Sequence, residues 1–313
     1  MKYYILLAWL SMVSVNAYAL NYALTPEKIA PDTYAFIGKT EDFSPQNGGN
    51  IINTAFIVTN NGVIVIDTGV SQLYGNAQRA AIKTITDKPI LKVIHTNYHP
   101  DRFLGNQAYH DVTIAALPAT IQGMKEHAED FTNNMYRMIG SWMQGTEAQF
   151  PTESLQAGEL IIDNHALQLY ALQGHTPADL VILDKTTGVL FTGGVVFYQR
   201  MPTTPSVTRL EDWLTELDTL EKIPFKILLP SHGAPTSDKR AIIQTRQYLQ
   251  WLAQTLNTAA ESGLDMAEVM QTELPDMFAT LGVGHVEFVR SVVHLYPALE
   301  INALNLPTEE NHQ

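Results

Sequence analysis

The feature that most constrains this chain lies between Ile90 and Arg102, where an apolar run stops abruptly at a polar segment rich in imidazole. Ile90–Ile94 has the length and composition of a buried strand, and it runs directly into His95-Thr96-Asn97-Tyr98-His99-Pro100-Asp101-Arg102. Strand ends converge on one rim of a sheet, where loops carry catalytic groups, so a functional edge is expected there. His99 and Asp101 stand two residues apart, a spacing that lets an extended or tightly turned loop direct both side chains into one pocket.

The rest of the chain repeats this rhythm. Short β-branched runs bounded by polar or Gly positions predict strands at Thr54–Val58 and Gly62–Ile66, with Asn60-Asn61-Gly62 as the hairpin signal between them. Asp67-Thr68-Gly69 ends the second run, and a helix is predicted over Leu73–Thr86, stopped at Asp87-Lys88-Pro89. Residues 118–148 read as a Met-rich amphipathic helix that fills core gaps, in a place where a lid over a cleft would lie. Further strands are predicted at Ala166–Leu172, Leu180–Leu183, Val189–Thr192 and Lys226–Leu229. Helices are predicted at Leu210–Lys222, Ala241–Glu261 and Val286–His294. Two halves of mixed sheet, each followed by helices, imply a layered α/β or α+β sandwich.

The N-terminus predicts export. Lys2 is followed by a mostly apolar stretch from Tyr3 to Val15, and Ala17-Tyr18-Ala19 supplies a small-x-small cleavage site, so residues 1–19 are read as a cleaved signal peptide. The apolar stretch falls short of the roughly 20 residues a membrane span needs. The expected destination is the periplasm, with no membrane attachment after cleavage. The chain has no Cys, which excludes disulfides and thiolate metal ligands and leaves stability to packing. A net charge of −13 argues against binding nucleic acid or anionic lipid.

Of the ten His residues, most need no function. His110, His127 and His165 lie in helix or turn contexts without a partner pattern, His294 packs in a terminal helix, and His312 sits in a tail. His95, His99, His175 and His232 differ, because each stands at a predicted strand end beside Gly, Pro or Asn. His99, Asp101, His175 and His232 together make a chemically sound donor set for Zn²⁺, which takes N and O ligands at four-coordinate geometry.

Five segments in order carry a resemblance to the metallo-β-lactamase superfamily. The segment from Val93 to Asn106 resembles its H-x-H-x-D-H loop, and Asp67-Thr68-Gly69 its upstream turn. Gly174-His175-Thr176-Pro177 is similar to its Gly-His-Thr loop, Phe191-Thr192-Gly193-Gly194 to its Phe-x-Gly-Asp strand end, and Ser231-His232-Gly233 to its final Gly-His-Gly. The resemblance implies a four-layer αββα sandwich of the α+β class over residues 20–240, with a helical extension at 241–313 packed on the same domain. It also implies a small-molecule hydrolase with a zinc site at one edge of the sheets.

The departures fall at three positions. The first loop His is Asn97, the last is Arg102, and the bridging Asp is Gly194. The resemblance thus leaves His99 and His175 from one metal site, and Asp101 and His232 from the other. It implies one shared Zn²⁺, with Asp101 orienting an attacking water and Asn97 donating to water or oxyanion. Arg102 either meets an anionic substrate or Asp101, or forms a structural salt bridge that replaces the charge of the lost second metal. His95 is expected to hydrogen-bond behind the ligands. Glu41–Asn50 and Pro202-Thr203-Thr204-Pro205 resemble segments of exported relatives associated with quinoprotein dehydrogenase systems, which makes a periplasmic quinoprotein system the expected partner. The alternatives are an inactive binding or accessory protein on the same fold, and a single-zinc β-lactamase-like enzyme.

Overall fold

A computed structural model describes residues 20–303. The expected signal peptide, residues 1–19, and the last ten residues of the expected helical extension lie outside the described residues. The first sheet has seven strands in sequential order: β1 Glu27–Ala30, β2 Thr33–Phe36, β3 Thr54–Val58, β4 Val63–Ile66, β5 Ile90–Ile94, β6 Thr113–Ala116 and β7 Glu153–Ser154. It is antiparallel from β1 to β4 and parallel from β4 to β7. The second sheet comprises β8 Gly158–Ile162, β9 His165–Leu172, β10 Asp179–Asp184, β11 Val189–Phe191 and β12 Ile227–Leu229, ordered β12-β11-β10-β9-β8. Only its β11–β12 pair is parallel. The helices are α1 Gln72–Lys83, α2 Pro100–Phe103, α3 Pro118–Ile139, α4 Leu210–Leu220, α5 Arg240–Glu261, α6 Met266–Val269, α7 Asp276–Ala279 and α8 Gly284–Ala303.

The period-two alternation of strands builds the layers. Ala55, Ile57, Ile64 and Ile66 face inward to meet Leu167, Leu169, Leu180 and Ile182 of the second sheet. Their neighbours Phe56, Val63 and Val65 face outward, where α1 supplies Ala81 and Ile82. The outer face of the second sheet is covered by α4, α5 and α8 through Trp213, Leu217, Tyr248, Leu252, Phe288 and Val292. The result is the expected α+β sandwich of helix, sheet, sheet and helix, with C-terminal helices on its second face.

Local chemistry explains where elements stop. Ser71 caps α1 by accepting a hydrogen bond from the Tyr74 amide. The helix expected over 118–148 ends earlier, at Ile139. Gly140 adopts φ 60° there, and the chain turns into a short 3₁₀ segment, Gly140–Met143. Strands β1, β2, β6, β7 and β8 lie in stretches where no strand was expected. They are short or polar on one face, so their sequences carry little periodic signal. Among the described residues no helix is long and apolar enough to cross a membrane.

Candidate active site

Three segments bring the singled-out side chains to one rim. The first leaves β5, where the His95 amide still pairs with the Ala115 carbonyl at 2.9 Å, and His99 precedes Pro100 at the start of α2. The second is the β9–β10 turn. Gly174 has φ 120° there, and a Cβ would press on the backbone of Trp213, so this position has to be Gly. The third follows β12, where the Tyr198 amide donates to the His232 carbonyl at 3.1 Å. His99, Asp101, Arg102, His175 and His232 all line one cleft of about 520 Å³. Helix α3 adds Phe131, Met135 and Met138 to its wall.

The imidazoles are held in defined states. His175 Nδ1 lies 2.9 Å from Asp179 Oδ1; a carboxylate only accepts, so this nitrogen carries a proton. The ring's Nε2 is buried and has no hydrogen-bond partner. His232 Nδ1 likewise donates to the Ile51 carbonyl at 2.7 Å. Burial, reinforced by the nearby His175 and Arg102, pushes the His99 pKa well below its usual value. Burial also depresses His232, with Arg200 and Arg102 adding to the effect. Both rings are neutral at neutral pH. Asp101 moves the other way: burial raises its pKa, Asp67 adds to the rise, and the positive charges of Arg102 and Arg200 only partly offset it.

The four expected metal ligands share the cleft without forming one cluster. The His99 and His175 rings stand edge to face with centroids 4.8 Å apart. His232 instead stacks on Phe197, at 4.9 Å and 20°. Among the described residues no three His, Asp or Glu side chains come together closely enough to hold an ion.

The geometry corrects the role expected of Asn97 and places Arg102 in a structural salt bridge. Asn97 does not line the cleft: its Nδ2 donates to Asp179 Oδ1 at 3.1 Å and its Oδ1 accepts from the His99 amide at 3.0 Å. It braces the two histidine segments against each other rather than serving a water or oxyanion. Of the expected readings of Arg102, the salt bridge is the one its terminal nitrogens show. Nη1 donates to Asp67 Oδ2 at 2.7 Å and Nη2 to Ser231 Oγ at 2.6 Å. Asp67 also accepts from the Thr96 amide and hydroxyl, and His95 Nδ1 lies 3.3 Å from it. Burial would raise the Asp67 pKa, but Arg102, His95 and Thr96 together outweigh that and hold it below its usual value. His95 is fully buried, with Nε2 on Asn106 Oδ1 at 2.7 Å, and lies behind the cleft as expected.

Sequence reasoning missed Asp179, although it stands four residues after His175 in Gly174-His175-Thr176-Pro177-Ala178-Asp179. A carboxylate that close after a candidate ligand His is the readable signal. It also missed Phe197, Arg200, Glu287 and Arg290. No spacing rule pairs Arg290 with Asp42 across 248 positions.

Comparison with known proteins agrees with this architecture. A sequence profile described as the metallo-beta-lactamase superfamily matches residues 47–232. A linear primary-alkylsulfatase from a Pseudomonas strain is 22% identical over an alignment that covers 73% of this chain and 50% of that protein. The chain thus spans about half the length of that curated relative. Among solved structures, a beta-lactamase domain protein from Burkholderia ambifaria has 19% identity and a TM-score of 0.63, covering 90% of this chain and 89% of its own. A metallo-beta-lactamase from Pontibacter korlensis has 20% identity and a TM-score of 0.58, covering 72% and 99%. Proteins of this kind typically bind metal ions, commonly zinc. The profile match, the two-sheet sandwich and the histidines on its rim place this chain in the metallo-β-lactamase superfamily.

Proposed function

We propose that the chain is an exported hydrolase with a reduced metal site, acting on a small molecule that carries an apolar portion. The observation that carries this reading is the buried, unpartnered Nε2 of His175, its ring fixed by Asp179. An imidazole oriented through Nδ1 by a carboxylate is how metal-binding histidines are held. His175 Nε2, with the His99 ring beside it at 4.8 Å between centroids, is where one ion would be held. Asp101 and His232 stand in the same cleft without completing a three-residue set. An ion there would act as a Lewis acid toward a substrate oxygen and acidify a water.

The chain's own groups supply the rest. Asp101, its carboxyl raised by burial, accepts a proton from a bound water more readily than an exposed aspartate would. His232, held neutral with Nδ1 occupied, has Nε2 left to accept a hydrogen bond. Phe131, Met135 and Met138 exclude water from one wall and offer an apolar surface. The relative named as an alkylsulfatase supports a substrate that joins an apolar chain to a polar head, which suits such a wall.

A second reading, an inactive binding protein on the same fold, draws on the lack of any three-residue ligand group among the described residues. Metal analysis separates the two. Protein purified without added metal is expected to contain up to one zinc per chain. Added Zn²⁺ at a hundredfold excess over its Kd should stabilise the fold by about 2.7 kcal/mol. His99→Ala and His175→Ala should each remove both effects. Wild-type protein with no zinc and no stabilisation by Zn²⁺ would refute the hydrolase reading.

A further inference from the structure

Helix α8 lies wholly beyond the segment that matches the superfamily profile, yet it supplies Glu287 and Arg290 to the cleft. Glu287 is only 1% exposed. Its Oε1 is crowded with donors: Arg200 Nη2 at 2.8 Å, Thr203 Oγ1 at 3.0 Å and Arg290 Nη1 at 3.2 Å. Its Oε2 is buried and receives no hydrogen bond. A buried carboxylate oxygen without a donor is costly, and native structures seldom leave one unless something else supplies the donor.

The surroundings are built to hold this group in place. Arg200 Nε donates to the Glu41 carbonyl at 3.3 Å, and Arg290 forks onto Asp42 at 2.6 and 3.1 Å. Thr204 Oγ1 donates to Ser291 Oγ at 2.7 Å, and His294 Nδ1 lies 2.7 Å from the Thr204 carbonyl. Two segments singled out in the sequence, Glu41–Asn50 and Pro202–Pro205, therefore meet on α8 around one carboxylate. The catalytic roles proposed above use neither of them.

We propose that Glu287 Oε2 is a substrate-binding subsite that accepts a hydrogen bond from a neutral hydroxyl group on a partly apolar ligand. The inference deepens the hydrolase reading and rests on it for calling the ligand a substrate. An acceptor oxygen calls for an O–H or N–H donor. Two guanidinium groups already press on the same carboxylate, so an ammonium would meet like charge there. The guanidinium charges in the cleft are already matched by carboxylates, Arg102 by Asp67, Arg200 by Glu287 and Arg290 by Asp42, so an anionic head finds no uncompensated cation, although Arg102 Nε has no hydrogen-bond partner. The hydroxyl is the donor that adds no charge. The apolar remainder has Met135, Met138 and Phe131 in the same cleft, whose volume of about 520 Å³ suits a small organic molecule.

The test is binding to metal-free, full-length protein, followed by calorimetric titration and by the methyl signals of Met135 and Met138. The probes are hexane-1,2-diol, its dimethyl ether, hexylamine and hexyl sulfate. The diol should bind about tenfold more tightly than the ether, which keeps the chain and lacks the donor, and should shift both methionine methyls. It should also outbind the amine and the sulfate. Glu287→Gln, which places an amide nitrogen where Oε2 stands, should abolish the preference for diol over ether. If that variant fails to fold, the wild-type comparison of diol with ether still decides. Equal affinity for diol and ether overturns the proposal, as does tighter binding of the amine or the sulfate. Zinc uptake is measured separately. Protein that takes no zinc but prefers the diol refutes the hydrolase reading alone, and the reverse result refutes the subsite alone.

Discussion

Gly194 stands where the superfamily resemblance expects a bridging aspartate, and the structure shows what a side chain would meet there. A Cβ at this position would lie 2.5 Å from Asn97 Nδ2 and closer still to Cε1 and Nδ1 of the His175 ring. Contacts under 3.0 Å are essentially never made by a real Cβ, so the ring has to move. Moving it breaks the His175–Asp179 hydrogen bond, and shifting Asn97 strains the second donor on the same carboxylate. Overpacking costs about 1–3 kcal/mol. Loss of a hydrogen bond to a buried charged group adds about 1.5–3 kcal/mol. Gly194→Ala should therefore destabilise the protein by about 3–5 kcal/mol, a large part of a typical 5–15 kcal/mol total. Urea unfolding reads this as a lower midpoint at unchanged slope. If the collision with His175 is the cause, adding His175→Ala should recover part of the loss, so the double mutant is less destabilised than the sum of the singles. A Gly194→Ala protein within about 0.5 kcal/mol of wild type would refute the reasoning. So would strict additivity in the double mutant.

Two further outcomes follow from the buried charges. Arg102→Met leaves Asp67 buried without its cation and should cost about 3–5 kcal/mol. Adding Asp67→Asn should return much of this, and a double mutant no more stable than Arg102→Met would contradict the pairing. Asp184, remote from the cleft, carries a pH dependence. Burial would raise its pKa, but hydrogen bonds from His165, Thr187 and the Thr186 amide outweigh that and hold it below the ordinary 3.8. A depressed carboxyl contributes stability above the unfolded value and loses it as pH falls through the folded one. The urea midpoint of wild type should exceed that of Asp184→Asn at pH 7, and the gap should close as pH falls through and below 3.8. A gap that stays constant down to pH 2 would show that the carboxylate's charge contributes nothing.

The parts of this molecule legible in the sequence are those governed by local rules. The core strands β3 and β4 show as apolar runs because both faces are buried, and His95 shows because it ends the apolar run of β5. Edge strand β8 alternates exposed and half-buried positions, and it left no comparable mark. At the site, residue type was readable and orientation was not. Asn97 and Arg102 were recognised as departures from a metal-binding pattern, and their polar groups suggested contact with substrate. Their actual partners, Asp179, Asp67 and Ser231, come from other loops, and only the closed sandwich brings those loops together.

Two of the three departures consequently form one structural unit, and the third, Arg102, belongs to a separate buried ion pair. Gly194 leaves room for the His175 ring, and Asn97 and His175 share Asp179 as an acceptor. Arg102 supplies positive charge beside Asp67, an aspartate that is fully buried at the turn after β4 and has φ 59°. An isolated reversion has to fail on these grounds: Gly194→Asp collides with His175, and Arg102→His withdraws a guanidinium from Asp67 and Ser231. Of the rim histidines, His175 is fixed by Asp179 and His232 by the Ile51 carbonyl. Around His175 the rim is therefore packed as a unit in which Gly194, Asn97 and Asp179 fix the ring's position.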